Sequence, residues 1–395
     1  MSGDQKCPFP IVRIENHTAL ELFLDYMLGN KPVILHANTT ANWLSRRKWV
    51  ISQDSNVADL RYFRERFGEM VVPEIDGKQC DYETMRLRDF IDYLEDENSR
   101  KKSDYKYVKD WHFQKESGTE YAAYQLPSFL KFDWINNEEW SATEANPLGD
   151  YRFVYFGIKG SWTVYHSDVM SSYSWSANIC GRKLWYFTPP GKEELFRKDR
   201  CSFLKDIRER QGVWKEACVS SFIQQPGEIV FVPSNWYHQV HNLEDAISIN
   251  HNFINASNVD LVYGLICQRL TDVIEEISDA RADFTPQEFS DQCQLILKAD
   301  IRINFDILRQ LVELVFEDRI KSATSCWVCP KHLSCIFECK KDSECIERTR
   351  QVLLSNCRCY NSEICHSCTS FMCSYELSCA CECLEMIFRV TNVVQ

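Results

Sequence analysis

Two histidines, one aspartate and one lysine carry the chemistry that this chain offers. His166 and Asp168 stand two residues apart in WTVYHSD, a run rich in β-branched and aromatic residues. On a strand, residues i and i+2 share a face, so the imidazole and the carboxylate aim into one pocket. Two ligands do not hold an open metal site. GEIVFVPSNWYHQVHNL (227–243) supplies the third: a strand, a tight turn and a returning strand that begins near His238. Two neutral imidazoles and one carboxylate leave positions free on an octahedral metal, the donor set of non-haem Fe(II) sites. The loaded site keeps net positive charge and accepts a bidentate anion beside molecular oxygen. Lys183 follows seventeen residues past His166 in GRKLW. A buried carboxylate is costly unless paired, and a lysine there can be its counter-ion or, more commonly, a surface charge.

These residues need elements to position them. From about residue 150 short β-rich runs repeat between turn signals: YRFVYFGI, WTVYHS, SYSWSANIC, KLWYFTPP, EIVFVP, HQVHNL and AISINHNF. Such spacing predicts an all-β sandwich or barrel. Gly181, Pro189-Pro190-Gly191, Pro226-Gly227 and Pro233-Ser234-Asn235 mark the turns. Upstream, TALELFLDYML (18–28) reads as an amphipathic helix with Thr18 and Glu21 at capping-box spacing. KPVILH reads as a strand, residues 57–68 and 84–95 as helices, and MVVPEI and YKYVKDW as strand or loop. After 257 the pattern turns helical, with a capping box and helix-start proline in TPQE (285–288) and an amphipathic run over 303–320. The expected division is 1–148, a mixed α/β part; 149–256, the β core; 257–322, a helical region; and 323–395, a cysteine-rich tail.

The set Thr163-Val-Tyr-His166-Ser-Asp168, Trp175-Ser-Ala, Gly181-Arg-Lys183-Leu-Trp and PGEIVFVPSNWYHQVHNLEDAISINHN (226–252), with KPVIL and YVKDW upstream, resembles the JmjC family of Fe(II)- and 2-oxoglutarate-dependent oxygenases. The resemblance covers roughly residues 9–260. It implies a mainly β fold with flanking helices, built on a double-stranded β-helix of the cupin or jelly-roll type. It implies Fe(II), 2-oxoglutarate as co-substrate and O2, with His166, Asp168 and His238 on the metal and Lys183 on the far carboxylate. Thr163 can donate its hydroxyl to the same carboxylate, against the plainer reading of an ordinary strand residue. Asn250 lies where the family often has a hydrogen-bonding residue near the keto-acid end. A tyrosine usually helps to bind 2-oxoglutarate; Tyr121 and Tyr124 are the candidates, with Tyr107 a third. Within the family, the runs DYRFVYFGIKGSW, SYSWSANICGRKLW and SNWYHQVHNLEDAISINHNFIN are similar to a lysyl hydroxylase of a translation termination factor. That protein is then the expected substrate.

The net charge is −12 and no dense run of Lys/Arg is present. A nucleic-acid surface is therefore not expected. No stretch approaches about 20 uninterrupted apolar residues, and the first residues lack a signal-peptide core, so neither a membrane span nor secretion is expected. The compartment expected is the cytosol, with the nucleus open, and the 20 cysteines should be free thiols or metal ligands rather than disulfides. CWVC (326–329) and CHSC (365–368) are paired units of the zinc-module kind. Their long separation leaves zinc binding and a thiol-rich extension both open.

Three functions remain in view. The first is a protein hydroxylase. The second is a methyl-lysine demethylase using the same iron chemistry on an N-methyl carbon; no histone-reader module is recognisable, and HxD stands where many demethylases have HxE. The third is a cupin-like scaffold without catalysis, which has no need of the triad together with Lys183.

Overall fold

A computed structural model describes residues 10–15, 19–52, 56–77, 82–96, 98, 105–118, 120–136, 148–199, 202–323, Cys383, Met386 and Ile387. Twelve strands are present among them: β1 (Val12–Ile14), β2 (Val33–Leu35), β3 (Val71–Asp76), β4 (Tyr82–Arg86), β5 (Lys106–Trp111), β6 (Arg152–Gly157), β7 (Tyr173–Cys180), β8 (Lys183–Thr188), β9 (Ser220–Gln224), β10 (Ile229–Val232), β11 (Tyr237–Asn242) and β12 (Ala246–Phe253). Nine form one sheet in the order β1-β2-β10-β7-β12-β6-β5-β3-β4, and three form a second in the order β11-β8-β9. All neighbours pair antiparallel except β1 and β2. This is the mainly β core with flanking helices of the cupin type.

Alternation explains how the large sheet has two unlike faces. In β7, Tyr173, Trp175, Ala177 and Ile179 alternate with Ser174, Ser176 and Asn178, and the whole strand is buried. In β12, Ile247, Ile249, His251 and Phe253 alternate with Ser248, Asn250 and Asn252. The apolar series joins the main core with Trp49, Phe63, Phe67, Phe90 and Phe113 from the N-terminal part. The polar series faces the small sheet. Ile34, Trp185, Phe187, Val230, Val232, Trp236 and Val240 close the space between the sheets with a second apolar cluster. Gln224 ties the two layers: it accepts from Trp185 Nε1 at 2.8 Å and donates to the Ser176 carbonyl at 2.9 Å.

Most expected elements are present, with informative differences. WTVYHS is not a regular strand. It is an extended segment running beside β11, joined through bridges at Trp162–His241 and His166–His238. Thr163 accounts for part of this: its hydroxyl accepts the Val240 amide at 3.2 Å, so a side chain occupies a place in the ladder. Residues 84–86 belong to β4, and the helix begins at Leu87. The first helix widens over Leu22–Met27 and buries Leu22, Phe23, Leu24 and Met27; Thr18 lies outside the described residues. The C-terminal region forms helices Val259–Glu276, Pro286–Ile301 and Phe305–Ala323. Thr285 and Glu288 make the expected capping box with Pro286 in the first turn.

Cys180, Cys267, Cys293 and Cys383 are free thiols. Cys218 is in a disulfide, against the expectation of free thiols or metal ligands throughout; composition cannot see which sulfurs the fold brings together. The CxxC pairs of the tail lie outside the described residues. Among the described residues no helix is long and apolar enough to cross a membrane.

Candidate metal and co-substrate pocket

His166, Asp168 and His238 come together although 72 residues separate the histidines. Their ligand atoms all lie within 4.8 Å of one another. Two backbone hydrogen bonds set this approach, His166 N–H to His238 O at 3.0 Å and His238 N–H to His166 O at 2.7 Å. The imidazole centroids are 4.3 Å apart. In each ring Nδ1–H donates to the carbonyl two residues earlier, Val164 at 2.7 Å and Trp236 at 3.0 Å. That fixes both tautomers and leaves each Nε2 lone pair for a ligand. Burial, His238 and the Lys109 cation push the His166 imidazole down to about 3, so it is neutral and ready to coordinate.

Both oxygens of Asp168 are held. Ser174 Oγ donates to Oδ2 at 2.7 Å and Asn252 Nδ2 donates to Oδ1 at 2.8 Å. Asn252 also donates to Ser172 Oγ at 3.1 Å. The turn before His238 is clasped to the segment after Asp168: Ser171 Oγ donates to Asn235 Oδ1 at 2.8 Å, and Ser234 Oγ to the Ser171 carbonyl at 2.6 Å. Met170, Ser171 and Asn235 all have positive φ, a conformation that costs non-glycine residues energy and persists where surroundings hold it. Two neutral imidazoles and an oriented carboxylate on one side of an open pocket fit a divalent iron with free positions.

These ligands face a pocket that is open on one side. Thr163, His166, Asp168, Lys183, His238 and Asn250 line it. Lys183 is fully buried and donates to Ser248 Oγ at 2.9 Å. Asn250 Nδ2 reaches the same hydroxyl at 3.1 Å. Among the described residues Lys183 has no carboxylate partner, and burial pushes its ammonium down to about 7. A buried cation held only by a hydroxyl is suited to an incoming carboxylate. The turn that delivers Lys183 needs Gly181, which has φ +71 and whose added Cβ would meet the Asp245 carbonyl oxygen.

Tyr121 and Tyr124, expected on the co-substrate, do not line this pocket. Tyr121 takes the Trp49 indole N–H at 2.9 Å and meets the Tyr62 hydroxyl at 3.0 Å in the aromatic core. Tyr124 bonds His251 Nε2 at 2.6 Å on the apolar face of the large sheet. The loop that carries them crosses that face, with the sheet between it and the metal ligands. Tyr107 and Tyr155 line the pocket instead. Tyr107 was the third candidate; Tyr155 was missed, though it alternates with buried Val154 and Phe156. Asn252 shares the face of Ser248 and Asn250, as its alternation with Ile249 and Phe253 implies, but its hold on Asp168 was not anticipated.

Residues 153–253 match the family model described as JmjC domain, hydroxylase. A 2-oxoglutarate and iron-dependent oxygenase JMJD4 of Danio rerio is 36% identical over 321 residues, 77% of this chain and 74% of that protein. The protein of the same name in Homo sapiens is 35% identical over 316 residues, 75% and 72% of the two chains. The arginine-specific demethylase JMJ20 of Arabidopsis thaliana is 35% identical over 333 residues, 76% and 71%. With this sheet arrangement and similarity over three quarters of its length, the chain belongs to the JmjC family of iron- and 2-oxoglutarate-dependent oxygenases.

Proposed function

We propose that the chain is a protein hydroxylase that oxidises a lysine side-chain carbon of a translation termination factor in the cytosol. His166, Asp168 and His238 hold the iron in this reading. Lys183 neutralises the far carboxylate of 2-oxoglutarate; Ser248 Oγ accepts from its ammonium, and Asn250 Nδ2 holds that hydroxyl. Thr163 spends its oxygen on the Val240 amide and keeps its hydrogen for that carboxylate. Asn252 and Ser174 keep Asp168 in one orientation. The bound iron supplies oxygen activation coupled to conversion of 2-oxoglutarate to succinate and CO2. The protein's share is to hold the C–H bond at the open side and to keep water out. The observation that carries the oxygenase reading is the His/His/Asp cluster facing a buried lysine that has no carboxylate partner among the described residues, in one pocket.

The substrate rests on the resemblance of the runs DYRFVYFGIKGSW, SYSWSANICGRKLW and SNWYHQVHNLEDAISINHNFIN. The name of the Arabidopsis relative favours a second reading, demethylation. Mass spectrometry of a termination factor incubated with the protein, Fe(II), 2-oxoglutarate and O2 separates them. A +16 Da lysine product that is absent with His166→Ala supports hydroxylation. Loss of 14 Da from a methylated peptide, with formaldehyde, supports demethylation. Succinate formation with neither product removes both substrates and keeps the oxygenase.

A further inference from the structure

The pocket contains a second lysine that the reaction above does not use. Lys109 lines the pocket and is half-buried. It sits where β5 breaks register with β6: Val108 pairs with Phe156 but Trp111 with Val154, so β5 carries one extra residue. Such a bulge re-aims a side chain. Here Asp110 takes φ +60, and its carboxylate is fastened by two hydroxyls, Tyr82 at 2.6 Å and Tyr155 at 2.7 Å. The bulge is thus clamped from both sides. The nearest carboxylate in sequence is committed to tyrosines, and among the described residues no ion pair includes Lys109.

A charge count gives this position meaning. The pocket lining holds Lys109 and Lys183 as cations, Asp168 as an anion and neutral imidazoles. A divalent metal raises the sum to +3, and dianionic 2-oxoglutarate lowers it to +1. Lys183, at the buried end with Ser248 and Asn250, accounts for the far carboxylate. The charge left over is that of Lys109, which lines the same pocket and, unlike Lys183, is only half-buried. Uncompensated charge in a recognition site selects the partner that neutralises it and disfavours like charge.

We propose that Lys109 is a specificity-determining residue that binds an Asp or Glu carboxylate of the protein substrate beside the residue to be oxidised. The proposal rests on the reading of the pocket as an iron and 2-oxoglutarate site. The acidic neighbour would also shield the ammonium of a target lysine from Lys109. A fixed methylammonium brought directly to the metal would have no such shield.

The test uses the full chain loaded with Mn(II), which fills the site without turnover, and 2-oxoglutarate. Immobilised protein selects from a library of 12-residue peptides randomised around a central lysine, and retained peptides are read by mass spectrometry. Wild type should enrich Asp/Glu at least fivefold at one position near the lysine. Lys109→Gln should lose the enrichment, and Lys109→Glu should replace it with Lys/Arg at that position. The affinity of Lys109→Gln for 2-oxoglutarate should stay within tenfold of wild type. An acidic preference unchanged in the variants overturns the proposal, as does retention by wild type no greater than from an all-amide library. A tenfold loss of 2-oxoglutarate affinity in Lys109→Gln moves the lysine to the co-substrate and overturns it too. Failure of Mn(II)-loaded wild type to bind 2-oxoglutarate is a separate result: it defeats the reading of the pocket on which the proposal stands.

Discussion

Asn252 Nδ2 donates to Asp168 Oδ1 at 2.8 Å, so a residue of β12 orients a carboxylate 84 positions earlier in the chain. Ser174 holds the other oxygen. Removing a partner of this kind from a metal-binding carboxylate typically costs about 10- to 100-fold in affinity or activity. Asn252→Ala should weaken Mn(II) binding by roughly that factor, with little change in melting temperature. Titration of the apo-protein with Mn(II) measures it. An unchanged affinity would show that Ser174 alone suffices.

Asp168→Ala removes the only anion of the metal cluster. Two neutral imidazoles should then lose the ion, and with it all 2-oxoglutarate turnover. Metal analysis and succinate production should both fall to background. Full activity in this variant would refute the three-residue site.

Lys183→Ala leaves the far carboxylate buried without its cation. Breaking a buried ion pair costs about 3 kcal/mol, roughly a hundredfold in 2-oxoglutarate affinity. The wild-type pH dependence has a defined sign. Burial holds free Lys183 down to about 7, and only the ammonium pairs with the dianion. Below pH 7 affinity should be flat. Above it, binding must take up a proton, and affinity should fall roughly tenfold per unit. Calorimetry in buffers of different ionisation enthalpy detects that proton, and no uptake at pH 8 would contradict the assignment.

Tyr107→Phe and Tyr121→Phe should separate site from scaffold. Tyr107 lines the pocket, and losing its hydroxyl should raise the KM for 2-oxoglutarate about fivefold, the worth of one hydrogen bond of about 1 kcal/mol. Tyr121→Phe gives up partners in Trp49 and Tyr62. It should lower the melting temperature and leave KM alone.

Thr285→Ala breaks the capping box of the helix Pro286–Ile301. The loss should be about 1 kcal/mol in urea unfolding, with metal and 2-oxoglutarate affinities unchanged. A change in either affinity would couple this helix to the pocket.

Lys183 was legible through the resemblance, since a lone lysine in GRKLW reads more often as a surface charge. The three candidate metal ligands were legible because each follows from short-range rules. A spacing of two in an extended segment put His166 with Asp168, and the Pro233-Ser234-Asn235 turn set His238 at the start of a returning strand. The tyrosines were not legible for the opposite reason. Whether Tyr121 or Tyr107 meets the pocket depends on which strand lies beside β6, and the pairing Tyr107↔Gly157 spans fifty residues. The aim of Lys109 depends on one extra residue in a ladder, which no local pattern announces. In Thr163 the ordinary β-branched reading and the functional one coexist, since one hydroxyl can accept from the backbone and donate into the pocket.

The paired backbone hydrogen bonds between His166 and His238 make the two histidines neighbours on one rung, and each ring is steered by a carbonyl of its own segment. The spacing of the two donors is thus a matter of register. A slip of one residue in either segment would turn one imidazole to the opposite face and take the cluster apart with every side chain unchanged.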